Sequence, residues 1–155
     1  MRSLEALKAA QAANLSDPTL TPVKDVNGKI TTTFCNIGAI RVANAMGCAE
    51  LNGLMADDQY KVMSVNASKQ WAKVAGSVAA AHALVGGLAF AAMTGEMLGE
   101  NHGHIASISP EPMQLSPSLG KAVPMVCNIG KTDADEKESA AFPVDKGEAD
   151  YFIWD

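Results

Sequence analysis

The apolar pattern of the chain changes period at Gly86-Gly87, and that change constrains the fold more than any other feature. Before it, apolar residues recur at helical spacing. Ile37, Ile40, Val42, Ala43 and Met46 lie between Cys35 and Gly47, which fits a helix closed by a glycine. Trp71, Val74, Val78 and Ala81 recur at spacings of three and four, which predicts a second helix from residue 66 or 68 to residue 83. After the glycines, residues 88–93, 104–108, 123–127 and 151–154 form short apolar runs bounded by Gly, Pro or Asp, as strands are. Helices that precede strands in this way predict an α+β fold, with N-terminal helices packed on a small antiparallel β-sheet. Residues 131–146, with Asp133, Asp135, Glu136 and Glu138, read as a solvated loop between the last two strands.

A chain of 155 residues suits one domain spanning 1–155. Residues 1–30 read as an N-terminal arm: a short amphipathic helix over 4–13, then turn signals at Asp17-Pro18, Thr21-Pro22 and Asn27-Gly28. Apolar residues are 48% and charged ones 19%, enough apolar surface to drive collapse of the rest. The net charge of −5, with Lys and Arg scattered, gives no electrostatic footprint for a nucleic acid. The N-terminal residues show no apolar run leading to a small-residue cleavage site, so no classical secretion signal is expected. The longest apolar-looking stretch, residues 74–93, is interrupted by Gly76, Ser77, His82, Gly86 and Gly87 and reads as buried core, not as a membrane insertion.

Cys35, Cys48 and Cys127 are an odd number and do not suggest a disulfide framework. Cys35 falls at a helix N-terminus, where unpaired N–H groups and the dipole favour a thiolate, the nucleophilic form. A lone cysteine beside Phe34 is more commonly a small core residue, so its context decides. That context is Asn101-His102-Gly103-His104-Ile105-Ala106-Ser107-Ile108, where a histidine opens an apolar strand and is held as a general base must be. His102 and His104, two apart, would share a strand face, which raises a metal site as the rival reading. No Cys-x-x-Cys, His-x-x-x-His or nearby acidic ligand completes a set, so neither metal nor other cofactor is expected. His104 is preferred to His102 as base because it directly begins the strand. Asn128, at the end of the strand over 123–127, is the candidate to orient the imidazole, with a turn asparagine before Ile129-Gly130 as the plain alternative. Cys48 and Cys127 read as structural.

Phe34-Cys35-Asn36-Ile37, Gly87-Leu88-Ala89-Phe90, Gly103-His104-Ile105-Ala106-Ser107-Ile108 and Tyr151-Phe152-Ile153-Trp154 follow one another in an order that resembles the NlpC-type cell-wall peptidases and the related CHAP amidases. The resemblance covers residue 31 to the C-terminus. It implies a papain-like fold and hydrolysis of an amide bond in the peptide part of bacterial peptidoglycan, with Cys35 as nucleophile, His104 as base and Asn128 orienting it. It further implies action at the cell wall, after release by a phage lysis system or delivery as an antibacterial effector, and an immunity or inhibitor protein as a possible partner. Many members carry an Asp shortly before the cysteine and a Ser-Gly pair after it. Thr33-Phe34 and Asn36-Ile37-Gly38 stand here instead, which places the chain in a divergent branch. The same residues would also serve a cysteine-dependent deamidase or transamidase of a protein substrate. A non-catalytic binding or structural phage protein would keep the fold with Cys35 and His104 buried.

Overall fold

Ser3 sets the start of the first helix: its side chain accepts the Ala6 N–H at 3.1 Å, satisfying one of the donors left unpaired at a helix N-terminus. In the computed structural model, which describes residues 2–155, this helix, α1, spans Leu4–Ser16 and buries Leu7, Gln11 and Asn14. The segment expected as an arm is therefore docked. Gln11 Nε2 donates to Ser107 Oγ at 3.0 Å and to Ile108 O at 2.9 Å, and Asn14 Nδ2 donates to Gly38 O at 2.9 Å. The turn signals that follow build a hairpin of β1 (Val23–Lys24) and β2 (Ile30–Thr32). Asp25 Oδ1 closes it by accepting the Asn27 and Lys29 N–H groups, with Gly28 at φ 80°.

Helices α2 (Cys35–Ala45) and α3 (Ala56–Val65) come next. Periodicity did not signal α3, a largely polar helix that buries only Ala56, Gln59 and Met63. The single helix expected over residues 66–83 is two elements instead. Asn66 caps α3 in a left-handed conformation, φ 53°, and its Oδ1 accepts the Trp71 N–H at 2.7 Å, turning the chain into strand β3 (Trp71–Val74). Helix α4 (Gly76–Leu84) then begins. The spacing of Trp71 and Val74 suits a helix face, but these residues find an antiparallel partner at the C-terminus, with Trp154 opposite Trp71 and Tyr151 opposite Val74.

The remaining elements are β4 (Leu88–Met93), the short α5 (Gly95–Leu98), β5 (His104–Ile108), a hairpin of β6 (Gln114–Ser116) and β7 (Lys121–Val123), then β8 (Met125–Asn128), β9 (Ala134–Lys137), α6 (Glu138–Ala141) and β10 (Asp150–Trp154). Six strands pair antiparallel in the order β3-β10-β4-β5-β8-β9, so the class is α+β. The strand expected over 123–127 is interrupted at Pro124, which has no N–H for a ladder; its carbonyl accepts the Glu138 N–H at 2.9 Å. The polar stretch expected to be a solvated loop holds β9 and α6. β9 lies at the sheet edge, where charged residues guard against further pairing.

The core forms where α2 packs on β5 and α4 on β4 and β10, with Leu7, Val42, Met46, Phe90, Ile105 and Phe152 buried. All six residues of β4 are buried, as a strand covered on both faces requires. Among the described residues, no helix is long and apolar enough to cross a membrane.

Candidate active site

Because β5 and β8 are antiparallel, with Ser107 opposite Cys127 and Ile108 opposite Val126, the start of β5 and the end of β8 meet at one edge of the fold. That register brings together two residues singled out from sequence: His104 Nε2 lies 2.7 Å from Asn128 Oδ1. The amide is fixed in turn, since Asn128 Nδ2 donates to Thr132 O at 3.0 Å and to Glu136 Oε1 at 2.8 Å. An amide oxygen has no proton to give, so the bond to His104 requires a proton on Nε2. Nδ1 is then the ring nitrogen free to accept one.

Two glycines make room for this arrangement. A Cβ on Gly103 would sit 2.7 Å from Met93 O and 2.8 Å from Asp57 Oδ1. The Asp57 carboxylate occupies that space because it accepts the Gly95 N–H at 2.7 Å and the Gly103 N–H at 3.2 Å, tying α3 to the loop that leads into His104. A Cβ on Gly130 would sit 2.8 Å from His104 Cε1. Phe142 also neighbours the ring, with centroids 5.0 Å apart and planes inclined by 53°.

Cys35 is the first residue of α2, as its helix-start position suggested, and no side chain caps that helix. α2 approaches β5 and the end of β8 closely. Gly38, one turn after Cys35, leaves no space for a Cβ beside Ile129, whose Cγ1 would be 2.9 Å away. The Cys35 thiol lies against the residue after His104: the Ile105, Asn36 and Cys35 backbone N–H groups all favour its thiolate. Burial nevertheless outweighs them, and with a smaller push from the Asp57 carboxylate it raises the thiol above its ordinary range. This corrects the expectation of a low-pKa thiolate, which counted the helix terminus but not the covering of the side chain.

The imidazole moves the opposite way. Burial pushes His104 below its ordinary value, against the bond to Asn128; the nearby Lys131 cation lowers it further and Glu100 offsets part of that. A raised thiol beside the start of the strand that carries a lowered imidazole favours the neutral forms of both.

A cavity of about 340 Å³ opens over His104 and Asn128, with Glu100, Lys131, Glu136 and Phe142 in its walls. Lys131 Nζ and Glu100 Oε1 pair at 3.2 Å among these residues. Cys35 is 7% exposed and does not line the cavity, whereas Thr33, two residues earlier, does. A larger hollow of about 470 Å³ lies between the start of α4 and the β6–β7 hairpin, lined by no histidine or cysteine, and is remote from this chemistry.

His102 is exposed and precedes β5 in a bend, so it does not share a strand face with His104, although both line the cavity. Among the described residues, no three His, Cys, Asp or Glu side chains gather as a metal site. Cys48 and Cys127 are buried and unpaired, and burial pushes Cys127 up to about 12. Sequence patterning did not signal Asp57, Gly130, Glu136 or Phe142. Of these, only the glycine two residues beyond Asn128 left a trace in the sequence, as a turn signal. No protein-family model matches the chain, and no curated protein matches it.

Proposed function

We propose that the protein is a papain-like cysteine hydrolase that cleaves an amide bond in the peptide part of bacterial peptidoglycan. The observation that carries the chemistry is the bond between His104 Nε2 and Asn128 Oδ1, 2.7 Å long, formed where the N-terminus of the Cys35 helix meets β5. The cell-wall substrate rests on the resemblance in motif order.

On this reading, Cys35 gives its proton to His104 Nδ1 as Sγ attacks the amide carbon, forming a C–S bond while the carbonyl π-electrons move to oxygen. The uncapped N–H groups at the start of α2 stabilise that oxyanion. The C–N bond then breaks, the imidazolium protonates the departing amine, and a thioester remains. Water, deprotonated by His104, attacks the thioester and releases the acid, returning the proton to sulfur. Asn128 holds Nε2 in its protonated form, so that Nδ1 carries the lone pair whenever the imidazole is neutral. The enzyme acts at the wall, and a protein that fills the cavity over His104 would inhibit it.

Digestion of purified peptidoglycan by the wild type and by Cys35→Ala, with mass spectrometry of the released fragments, tests this. Release by the wild type alone supports the mechanism and identifies the bond; equal release by both, or none by either, refutes it.

One observation favours a second reading, a non-catalytic protein. Cys35 is 7% exposed and does not line the cavity, as a structural thiol would be placed. Alkylation separates the two: a thiol served by His104 reacts with iodoacetamide faster than Cys48 or Cys127, whereas a structural Cys35 is as inert as they are.

A further inference from the structure

We propose that Glu136 is a positioning residue that sets the tautomer of His104 through Asn128, an inference that deepens the hydrolase reading and rests on it for its catalytic meaning. The argument starts from the hydrogen-bonding capacity of one amide. Asn128 is 4% exposed, so its two N–H groups must find partners within the protein. They find two: Thr132 O at 3.0 Å and Glu136 Oε1 at 2.8 Å. A backbone carbonyl is an acceptor only, and so is an ionised carboxylate. Turning the amide over would point Oδ1 at both acceptors, with no proton between any of the three oxygens, and would point an N–H at His104. The orientation with Oδ1 on His104 is therefore the one this environment allows.

Thr132 O supplies one neutral acceptor and would hold the amide weakly by itself. The carboxylate supplies the second, and a hydrogen bond to a charged acceptor is about twice as strong as one between neutral groups. The sheet register explains how Glu136 comes to this point. Asn128 pairs with Ala134 across β8 and β9, and Glu136, two residues along β9, projects from the same face as Ala134, diagonal to Asn128. Glu136 also lines the cavity over His104, so its charge faces the reacting region as well as the amide. Its contact is with Asn128, not with His104, and its effect passes through the amide.

The test reads the histidine directly. In 15N-labelled protein at pH 8, long-range proton–nitrogen correlations should show His104 protonated on Nε2. Glu136→Ala should give a mixture of Nε2–H and Nδ1–H forms and slow the alkylation of Cys35 by iodoacetamide about tenfold, a part of the ~10²–10⁴ that a general base contributes. Glu136→Gln, whose side-chain oxygen can still accept from Asn128, should restore the Nε2–H form and most of the rate. Glu136→Val, which suits a strand, replaces the alanine variant if that weakens β9. Retention of the Nε2–H form and the wild-type rate in Glu136→Ala and Glu136→Val overturns the proposal. So does a tautomer lost equally in Glu136→Gln. The tautomer is measured without substrate, so a shift in Glu136→Ala alongside a wild type that releases nothing from peptidoglycan upholds the positioning role and refutes only the hydrolase reading.

Discussion

Gly130→Ala isolates the geometry of the imidazole from the stability of the fold. The added Cβ would lie 2.8 Å from His104 Cε1, 3.4 Å from Asn128 Oδ1 and 3.5 Å from His104 Nε2. Carbon atoms in favourable contact stand ~3.5–4.0 Å apart, so the ring must retreat by about 0.7 Å or more. The retreat is opposed at Phe142, whose ring centroid is 5.0 Å from that of His104. A movement of that size also takes the 2.7 Å bond to Asn128 away from its optimum geometry. Misplacement of a catalytic group by about 1 Å costs about a hundredfold in rate, and the shift here is somewhat smaller, so a loss of about ten- to a hundredfold is expected. The cost to the fold is modest. Gly130 is not among the glycines at positive φ, so alanine brings no backbone strain, and overpacking costs about 1–3 kcal/mol against a domain stability of about 5–15 kcal/mol. Iodoacetamide alkylation of Cys35 at pH 7, followed by peptide mass spectrometry, measures the proton transfer without a substrate; far-UV circular dichroism reports the fold. A folded Gly130→Ala whose Cys35 reacts at the wild-type rate would refute the claim that the position of His104 governs the thiol.

Two further measurements follow from the titratable groups. His104 is held below its ordinary value, so it stays neutral and able to accept a proton under conditions that would charge a free imidazole. The acid limb of Cys35 alkylation should therefore fall below pH ~6.5, and a limb at or above that pH would contradict the burial argument. The same depression has a sign for stability: the unfolded chain binds a proton at His104 before the folded one does, so stability is fully present above pH ~6.5 and declines as pH falls toward the folded value. Glu138 is the opposite case. It is 1% exposed, its Oε1 accepts the Ala149 N–H at 3.2 Å, its Oε2 has no partner, and burial raises its pKa. A raised carboxyl contributes stability below its ordinary range that is lost as pH rises through the folded value, so the charged form is the one that burial penalises. Glu138→Gln keeps an acceptor for Ala149 and removes the charge. It should raise the thermal midpoint at pH 7 by about 2–4 °C for each kcal/mol recovered and change little at pH 4, whereas a lower midpoint at pH 7 would show that the carboxylate is needed.

The parts of the fold that could be read from the chain are those where one local signal has one structural solution. Strands β4, β5 and β10 are apolar runs between breakers, and a run of six buried residues such as Leu88–Met93 does not fit the surface. Cys35 before a helical stripe, and a glycine and histidine before an apolar strand, were legible for the same reason. β3 was not, because Trp71 and Val74 satisfy a helix face and a strand equally well. Pairing with the last strand, 83 residues away in sequence by the Trp71–Trp154 partner, decided between them. β9 was illegible for a different cause. An edge strand may be polar on both faces, so Ala134–Lys137 carries no period-two apolar signal, and with it Glu136 was hidden in what read as solvated loop.

The pKa of Cys35 shows where a local rule stops and three-dimensional packing takes over. A helix N-terminus favours a thiolate, and the Ile105 N–H adds to that field. The close approach of α2 to the residue after β8, which Gly38 permits beside Ile129, goes with a Cys35 thiol that lies against the Ile105 N–H and is covered from solvent. Burial that raises the thiol therefore also lowers the imidazole. Both shifts work against a thiolate and an imidazolium resting side by side. On the hydrolase reading proposed above, the nucleophile is made at the moment of attack, by a proton moving to Nδ1, and the tautomer of His104, with the chain from Glu136 through Asn128 that sets it, becomes the controlling element. In a site that rested as thiolate and imidazolium both ring nitrogens would already carry protons, and the orientation of Asn128 would matter far less. Sensitivity of the alkylation rate to Glu136 thus distinguishes the two designs as well as testing the residue.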